Sequence, residues 1–214
     1  MNIPKKLSVF FAAALVLSVL VIYIVPPSNA ANEGIQKQEQ KTKDNAMNEW
    51  KKITPFEIKN PVTLFSKDWA ALGVGKKDDM NAMTIAWGTL GELWGKHIIT
   101  VYVSSSRYTY GFMERYPYFT VSGFPEQMRP ALTYLGTHSG RDEKNKVQNA
   151  GLTPVFTELG NPFFKEANLV IEAKTIYKAL FNPDFIDKEA KRFYDNGTGI
   201  HSMYIGEIIN VWEK

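Results

Sequence analysis

The stretch Leu169-Val170-Ile171-Glu172-Ala173-Lys174, within a longer segment at 167–180, decides the fold class of this chain. Apolar side chains at positions 169, 171 and 173 alternate with charged side chains at positions 172 and 174. A period of two residues predicts a β-strand with one buried face and one exposed face. Strands of this kind usually form antiparallel sheets, so we expect an antiparallel, mainly β protein.

Further strand patterns lie on both sides of this stretch. The last of them, at 203–212, is predicted to have one apolar face, formed by Met203, Ile205, Ile209 and Val211. We also expect strands at 82–87, 97–103 and 118–124, and a hairpin made of 62–65 and 69–74. Helices are predicted at 108–116, at 125–135, at about 142–151 and at 184–194. Strands with helices inserted between them predict a β-barrel with α insertions.

The first 52 residues differ in character from the rest. A basic start with Lys5 and Lys6, an apolar run at 7–25 and small residues around Ala30 are the three parts of a secretory signal peptide. Because the apolar run is also long enough to cross a bilayer, residues 1–30 are predicted to be either a signal peptide or a membrane anchor. Both place the protein outside the cytoplasm, since the basic end stays inside. The polar segment 31–52 is predicted to be a linker, and 53–214 to be one folded domain.

Composition excludes several classes of function. The chain has 214 residues, a net charge of +3 and no cysteine. This charge is too small to indicate a nucleic-acid partner. The lack of cysteine excludes disulfides, thiolate nucleophiles, zinc–cysteine sites and iron–sulfur clusters. No histidine pair has the spacing of helical metal ligands, and the sequence patterns of zinc and serine hydrolases are missing, so we predict no metal site.

Two polar loops have the composition of anion sites. The first, Ser104-Ser105-Ser106-Arg107-Tyr108-Thr109, lies between a predicted strand and a predicted helix. Hydroxyls, free amides at the helix start and the Arg107 guanidinium are suited to hold a phosphate, although serines there also serve simply as helix caps. The second, Gly136-Thr137-His138-Ser139-Gly140-Arg141-Asp142, has similar donors, but it also fits a plain turn in which Asp142 caps a helix. Both interpretations stay open for each loop.

A third segment, Asn81-Ala82-Met83-Thr84-Ile85-Ala86-Trp87-Gly88, has small side chains and one hydroxyl on an otherwise apolar strand. Small side chains let a flat ring lie against the backbone, with amides and Thr84 reaching its polar edge. The same segment also fits a buried strand that carries a core tryptophan, which is the simpler interpretation of this segment by itself.

Six motifs, in order, resemble the flavin reductase family and more narrowly its flavoredoxin-like branch. The resemblance covers roughly Pro55 to Lys214. The motifs are Met83-Thr84-Ile85-Ala86-Trp87-Gly88, Ser106-Arg107-Tyr108-Thr109-Tyr110, Tyr118-Phe119-Thr120-Val121-Ser122-Gly123-Phe124-Pro125, Gly136-Thr137-His138-Ser139-Gly140-Arg141-Asp142, Gly151-Leu152-Thr153-Pro154 and His201-Ser202-Met203-Tyr204-Ile205-Gly206-Glu207-Ile208.

The resemblance implies a homodimeric, FMN-binding split β-barrel, antiparallel and Greek-key-like. It implies that FMN is the cofactor and that NAD(P)H or a redox partner exchanges electrons with it. The residues it assigns to the ring are Asn81, Met83, Thr84, Ile85, Ala86 and Trp87. Those assigned to the phosphate end are Ser104, Ser106, Arg107, Tyr108 and Thr109. Those expected to close over the cofactor, or to line the nicotinamide side, are Ser139, Gly140 and Arg141.

Four positions depart from the family's usual residues. Ser104 and Ser202 replace arginines, His138 replaces a lysine, and Ala179 replaces a glutamine. Most of these changes remove positive charge near an anionic cofactor. An alternative prediction is therefore a binding module whose barrel has lost FMN and holds another ligand or partner. A third is an enzyme that uses a different flavin or a deazaflavin.

Overall fold

The computed structural model describes residues 37–38, 48–195 and 197–214. Residues 37–38 are helical and belong to a unit that ends at Gln38, whereas the folded unit lies within 39–214. The predicted signal peptide or anchor at 1–30 lies outside the described residues, as does most of the predicted linker. In the described part of the chain, no helix is long and apolar enough to cross a membrane.

The described part of the folded unit contains ten β-strands. They are β1 (Lys51–Ile53), β2 (Ala70–Lys76), β3 (Asp79–Ile85), β4 (Gly88–Leu93), β5 (Lys96–Ser104), β6 (Tyr118–Gly123), β7 (Pro154–Phe156), β8 (Pro162–Phe164), β9 (Leu169–Leu180) and β10 (His201–Glu213). Eight of them form one antiparallel sheet in the order β3-β2-β6-β9-β10-β5-β4, with β1 added to β10. Strands β7 and β8 form a separate hairpin. The mainly β, antiparallel fold predicted from the sequence is confirmed.

Within the described residues 48–195 and 197–214, four short α-helices join these strands. They are α1 (Pro61–Ser66), α2 (Tyr108–Arg115), α3 (Arg129–Thr137) and α4 (Lys146–Asn149). Four 3₁₀ turns accompany them, at Pro55–Glu57, Glu126–Met128, Pro183–Phe185 and Ala190–Phe193. Helix α2 follows the predicted bounds closely. The other predicted helices are shorter than expected, and the segment 184–194 contains only the last two 3₁₀ turns.

Apolar cores lie on both faces of the central strands. On β2, Leu72 belongs to one buried cluster and Ala71 to the other. On β9, Ile171 and Val170 divide in the same way. The prediction of one exposed face is therefore wrong for 170–173, because hairpin β7–β8 and helix α3 supply the second cluster that covers it.

Glu172 shows the consequence of this double burial. Its side chain is fully buried rather than exposed. Thr157 Oγ1 and Asn161 Nδ2 donate to one carboxylate oxygen at 2.5 and 2.7 Å, and Asn210 Nδ2 donates to the other at 2.8 Å. These hydrogen bonds satisfy a group that would otherwise be costly to bury. They connect the β7–β8 hairpin to the main sheet.

The predicted hairpin of 62–65 with 69–74 is wrong. Pro61 occupies the first turn of helix α1, where proline is favoured, and the helix buries Leu64 and Phe65. Strand β2 then begins at Ala70 and pairs with β3 and β6. A short apolar run does not distinguish a helical turn from a strand, and the sequence pattern therefore gave a wrong prediction for 62–65.

The predicted apolar face of the last strand is also wrong. Tyr204 and Val211 are buried, whereas Ile209 is exposed. Register shifts between β9 and β10 occur at Ile205/Gly206 and at Ile208/Asn210. Each irregularity interrupts the alternation of faces, so no single two-residue period runs through β10. At the other end of the unit, Trp50 is buried and β1 begins at Lys51, slightly before the predicted domain boundary at 53.

Candidate functional site

A polar cavity of ≈ 420 Å³ lies where strand β3, the start of helix α2 and the loop after helix α3 meet. Its size is within the range of small-molecule sites. Nine of the residues predicted for the cofactor line it: Asn81, Met83, Ser106, Arg107, Tyr108, Thr109, Ser139, Gly140 and Arg141. The structure therefore brings the two predicted anion loops and the predicted ring strand together around one cavity.

The Ser104–Thr109 loop leads directly into helix α2. Arg107 has extended backbone angles, and its guanidinium donates to the carbonyl of Gly136 at 3.3 Å, which connects the two loops. The first N–H groups of a helix have no helical acceptor, so they favour an anion at this end. Arg107 thus combines a fixed positive charge with a helix start that is open to a phosphate.

Asn81 and Gly140 shape the inner wall. The Asn81 amide donates to Thr109 Oγ1 at 2.8 Å, and both side chains are buried. A Cβ on Gly140 would lie 2.2 Å from Asn81 Oδ1, far inside van der Waals contact. A glycine at this position therefore lets the second loop pack against strand β3.

Lys146 adds a third positive charge to those of Arg107 and Arg141 at this cavity. The sequence did not reveal it. Its ammonium donates to the carbonyls of Leu135 and His138 at 3.2 and 3.0 Å, and the residue is almost completely buried beside the cavity. Burial, together with the nearby Arg107 charge, lowers the pKa of Lys146 to about 8, although the Glu143 carboxylate opposes the shift. A buried ammonium with a depressed pKa is a common feature of anion-binding and catalytic sites.

His138, which replaces a lysine in the family pattern, stacks on Tyr134 with ring centroids 3.7 Å apart. Its Nδ1 lies 3.1 Å from Tyr134 O and 3.1 Å from Thr137 Oγ1. The His138 side chain is therefore held against helix α3, and its carbonyl, rather than its ring, is the group that orients Lys146.

Five predicted residues do not line this cavity. The Thr84 hydroxyl donates to Leu132 O, and Ile85 is part of the buried core. The Ser104 hydroxyl donates to Gly199 O at 2.8 Å and lies 2.9 Å from Ser106 Oγ, so it shapes the loop from behind. Ala86 and Trp87 follow the end of strand β3, and Trp87 borders a second, apolar cavity. Their assignment to the cofactor stays a prediction.

Sequence reasoning missed Lys146 and the turn residues Gly197 and Thr198, which also line the polar cavity. Lys146 lies in a predicted helix with other lysines close by, and nothing local distinguishes it from an exposed one. The late-strand histidine, His201, lies nearby with a buried Nδ1 that has no partner among the described residues. Burial and the Arg107 charge lower the pKa of His201, so its ring is neutral at pH 7.

No group of His, Asp or Glu side chains in the described ranges is arranged to hold a metal ion. The charged side chains at the polar cavity are mostly cationic. Their chemistry suits an anionic organic ligand with a phosphate group.

Comparison with known proteins shows what this chain is similar to. The family model of the flavin reductase like domain matches residues 58–214. The fold is similar to that of an FMN-binding domain of a flavin reductases-like enzyme from Shewanella baltica, with 17% identity, 77% of this chain and 76% of that chain covered, and a TM-score of 0.56. This structural similarity confirms the predicted split-barrel fold, and the family match supports FMN, the predicted cofactor.

Two further structures are similar. Flavoredoxin of Desulfovibrio vulgaris is 26% identical over 68% of this chain and 69% of its own, with a TM-score of 0.53. An NADH:FAD oxidoreductase of Streptomyces globisporus, solved with NAD and FAD fragments, is 18% identical over 69% and 74%, with a TM-score of 0.51. Among curated proteins, none shows significant similarity to this chain.

Proposed function

This chain belongs to the flavin reductase family, and from that premise we propose that it is an FMN-dependent electron-transfer protein whose polar cavity holds the cofactor. The observation that carries the proposal is the meeting of Arg107, Arg141 and Lys146 at one cavity beside strand β3. A bound FMN supplies the two-electron chemistry, and the protein supplies binding and orientation.

The three cations argue against the alternative that the barrel has lost FMN. Four positions depart from the usual family pattern, three of them by loss of positive charge or of a basic side chain. Yet Lys146 places an ammonium at the same cavity as Arg107, and the two carbonyls that accept from it fix its position. The residues present therefore fit a phosphate-bearing ligand. We assign the phosphate end to Ser106, Arg107 and Thr109, with Gly140 and Arg141 closing over it.

Strand β3 is the proposed platform for the flavin ring. Met83 lines the polar cavity, and Trp87, two residues beyond the end of this strand, lines the second cavity. Because the Thr84 hydroxyl donates to Leu132 O, we expect backbone groups rather than Thr84 to bind the ring edge.

The electron donor, cellular location and oligomeric state extend this proposal. A nicotinamide donor is supported by the similarity to an NADH:FAD oxidoreductase. A location outside the cytoplasm is supported by the basic and apolar N-terminal sequence. A homodimer follows from the family resemblance. Sedimentation of the purified protein over a range of concentrations tests the dimer.

An absorbance spectrum tests the central claim. Protein from Ala31 onward is purified with FMN, and NADH and then dithionite are added. Flavin bands that NADH bleaches indicate a reductase, and bands bleached only by dithionite indicate a carrier with another donor. A colourless protein that does not bind added FMN would contradict the proposal and favour the binding module.

Arg107→Ala tests the placement of the phosphate. We expect FMN affinity to fall at least about tenfold, because a charge-assisted hydrogen bond contributes roughly 1.5–3 kcal/mol. Titration of the flavin fluorescence measures the change. Arg115→Ala is the matched control, since Arg115 lies at the far end of the same helix and pairs with Asp79 at 3.0 Å. An unchanged affinity in Arg107→Ala would mean that the phosphate lies elsewhere.

A further inference from the structure

The second cavity has a different chemistry from the polar one. It has a volume of ≈ 470 Å³ and is walled mainly by aromatic rings, those of Trp87, Phe181, Phe185, Phe193 and Tyr194. The Trp87 and Phe193 rings meet edge to face, with centroids 5.4 Å apart. His201 stands behind them, 5.1 Å from Trp87 and 5.6 Å from Tyr194 between ring centroids. Such walls favour a flat ring that can stack on or abut them.

Among the residues that the structure describes, only Asn182 and Asp187 contribute strongly polar side chains to this cavity. Asn182 Oδ1 accepts from the Asp184 N–H at 2.9 Å, which leaves its NH₂ group for a ligand acceptor. Asp187 Oδ1 accepts from the N–H groups of Glu189 and Ala190 at 2.9 and 3.4 Å, which leaves Oδ2 for a ligand donor. No lysine, arginine or histidine lines the described wall. The negative charge of the Asp187 carboxylate is therefore not balanced by a cation in the cavity, and this disfavours an anionic ligand.

The connection between strands β9 and β10 borders both cavities. Its first part, Phe181 to Tyr194, forms most of the aromatic walls, whereas Gly197 and Thr198 line the polar cavity. Trp87, which lines the aromatic cavity, follows two residues after the end of strand β3, the proposed platform for the flavin ring. A ring bound between these aromatic side chains therefore lies beside the segment to which we assign the cofactor.

We infer that the aromatic cavity binds the neutral ring of a quinone. The Asn182 NH₂ donates to a quinone carbonyl, and Asp187 Oδ2 accepts from the O–H of the hydroquinone, so both redox forms find a partner. The electron-transfer role rests on the function proposed above. The net reaction transfers two electrons and two protons from reduced flavin, which is oxidised, to the quinone, which becomes hydroquinone.

Binding of 2-methyl-1,4-naphthoquinone to the FMN-loaded and the FMN-free protein tests this inference. Isothermal titration calorimetry measures the affinity, and quenching of tryptophan fluorescence gives an independent readout. In Phe193→Ala we expect the quinone affinity to fall about tenfold, because stacking on one aromatic ring is lost. In Asn182→Leu we expect a fall of about threefold, because one hydrogen bond is lost. The FMN affinity stays unchanged in both.

Phe56→Ala is the matched control, since Phe56 is 81% exposed and its ring contacts His97 instead of the cavity. Circular dichroism verifies that each variant folds, and the two cavity variants provide independent tests. No quinone binding, or equal affinity in the wild type and both cavity variants, overturns the inference. A Phe193→Ala protein that loses self-association in sedimentation with no change in quinone affinity also overturns it, because a second copy then covers the cavity. Quinone binding without FMN binding contradicts only the proposed cofactor.

Discussion

The two cavities differ in how their walls are built. The polar cavity is formed by loops that regular elements hold in place: helix α2, helix α3 and strand β3 each contribute residues, and hydrogen bonds such as Asn81 to Thr109 fix their positions. The aromatic cavity is formed mostly by one irregular connection with short 3₁₀ turns. This difference indicates that the polar cavity is organised for a charged ligand of fixed shape. The aromatic cavity instead selects ring shape and low charge.

From this comparison we expect the largest loss of FMN affinity when a side chain in the wall of the polar cavity is enlarged. Gly140→Ala places a methyl group against Asn81 Oδ1, so the Asn81–Thr109 hydrogen bond must break or the loop must move. We expect the binding free energy of FMN to weaken by about 2–3 kcal/mol, which is a loss of affinity of roughly 30- to 150-fold. We expect the unfolding free energy to fall by about 1–3 kcal/mol in chemical denaturation.

Gly111→Ala is the control for this change. Gly111 lies in helix α2, and a Cβ there would meet nothing within 4 Å. Alanine in a helix is more stable than glycine by about 1 kcal/mol, so this variant should be more stable and bind FMN normally. Equal FMN affinity in Gly140→Ala and Gly111→Ala would show that the second loop does not close over the cofactor.

A smaller effect is expected at Lys146. In Lys146→Met, FMN affinity at pH 7 should fall about fivefold, or roughly 1 kcal/mol, because a partly protonated cation near the phosphate is lost. Since the pKa of Lys146 is about 8, wild-type affinity should decline as pH rises through 8, whereas that of Lys146→Met should not. Fluorescence titration at a series of pH values measures both slopes.

The free energy of unfolding of the FMN-free protein should depend on pH in the opposite direction to the FMN affinity. The folded-state pKa of Lys146 lies below the value of 10.5 for an unburied lysine. Between about pH 8 and about pH 10.5 the unfolded chain binds more protons, so this group makes stability rise with pH in that window. Lys146→Met should remove this part of the pH dependence. Lys144→Met, a change of a neighbouring exposed lysine, should retain it.

The smallest expected effect is the change of ligand affinity with ionic strength, which should differ between the two cavities. Raising ionic strength from about 50 mM to about 500 mM should weaken FMN binding by about threefold, because exposed charges such as Arg107 are screened. Binding of the neutral naphthoquinone should not weaken. A quinone affinity that falls in parallel with that of FMN would indicate that the two ligands share the polar cavity.

The sequence by itself determined the antiparallel fold class and one half of the polar cavity. Local signals were sufficient because the strand period, the serine-rich turn before helix α2 and the glycine-containing turn after α3 are short-range patterns. From their loops alone, Arg107 and Arg141 were candidates for an anion site, and only the family resemblance assigned them to the cofactor. The same local reasoning failed at α1 and β10, where a proline start and register shifts override the apparent period.

Only the tertiary structure decided which of these groups meet. Lys146 reaches the polar cavity because the carbonyls of Leu135 and His138 hold its ammonium there. Glu172 is buried because a separate hairpin covers its face, and the Thr84 hydroxyl is directed to Leu132 by the packing of helix α3 on strand β3. The aromatic cavity unites Trp87 with rings about 100 positions later in the chain. Contacts between residues so far apart depend on how the elements pack, and a local sequence pattern carries no record of that packing.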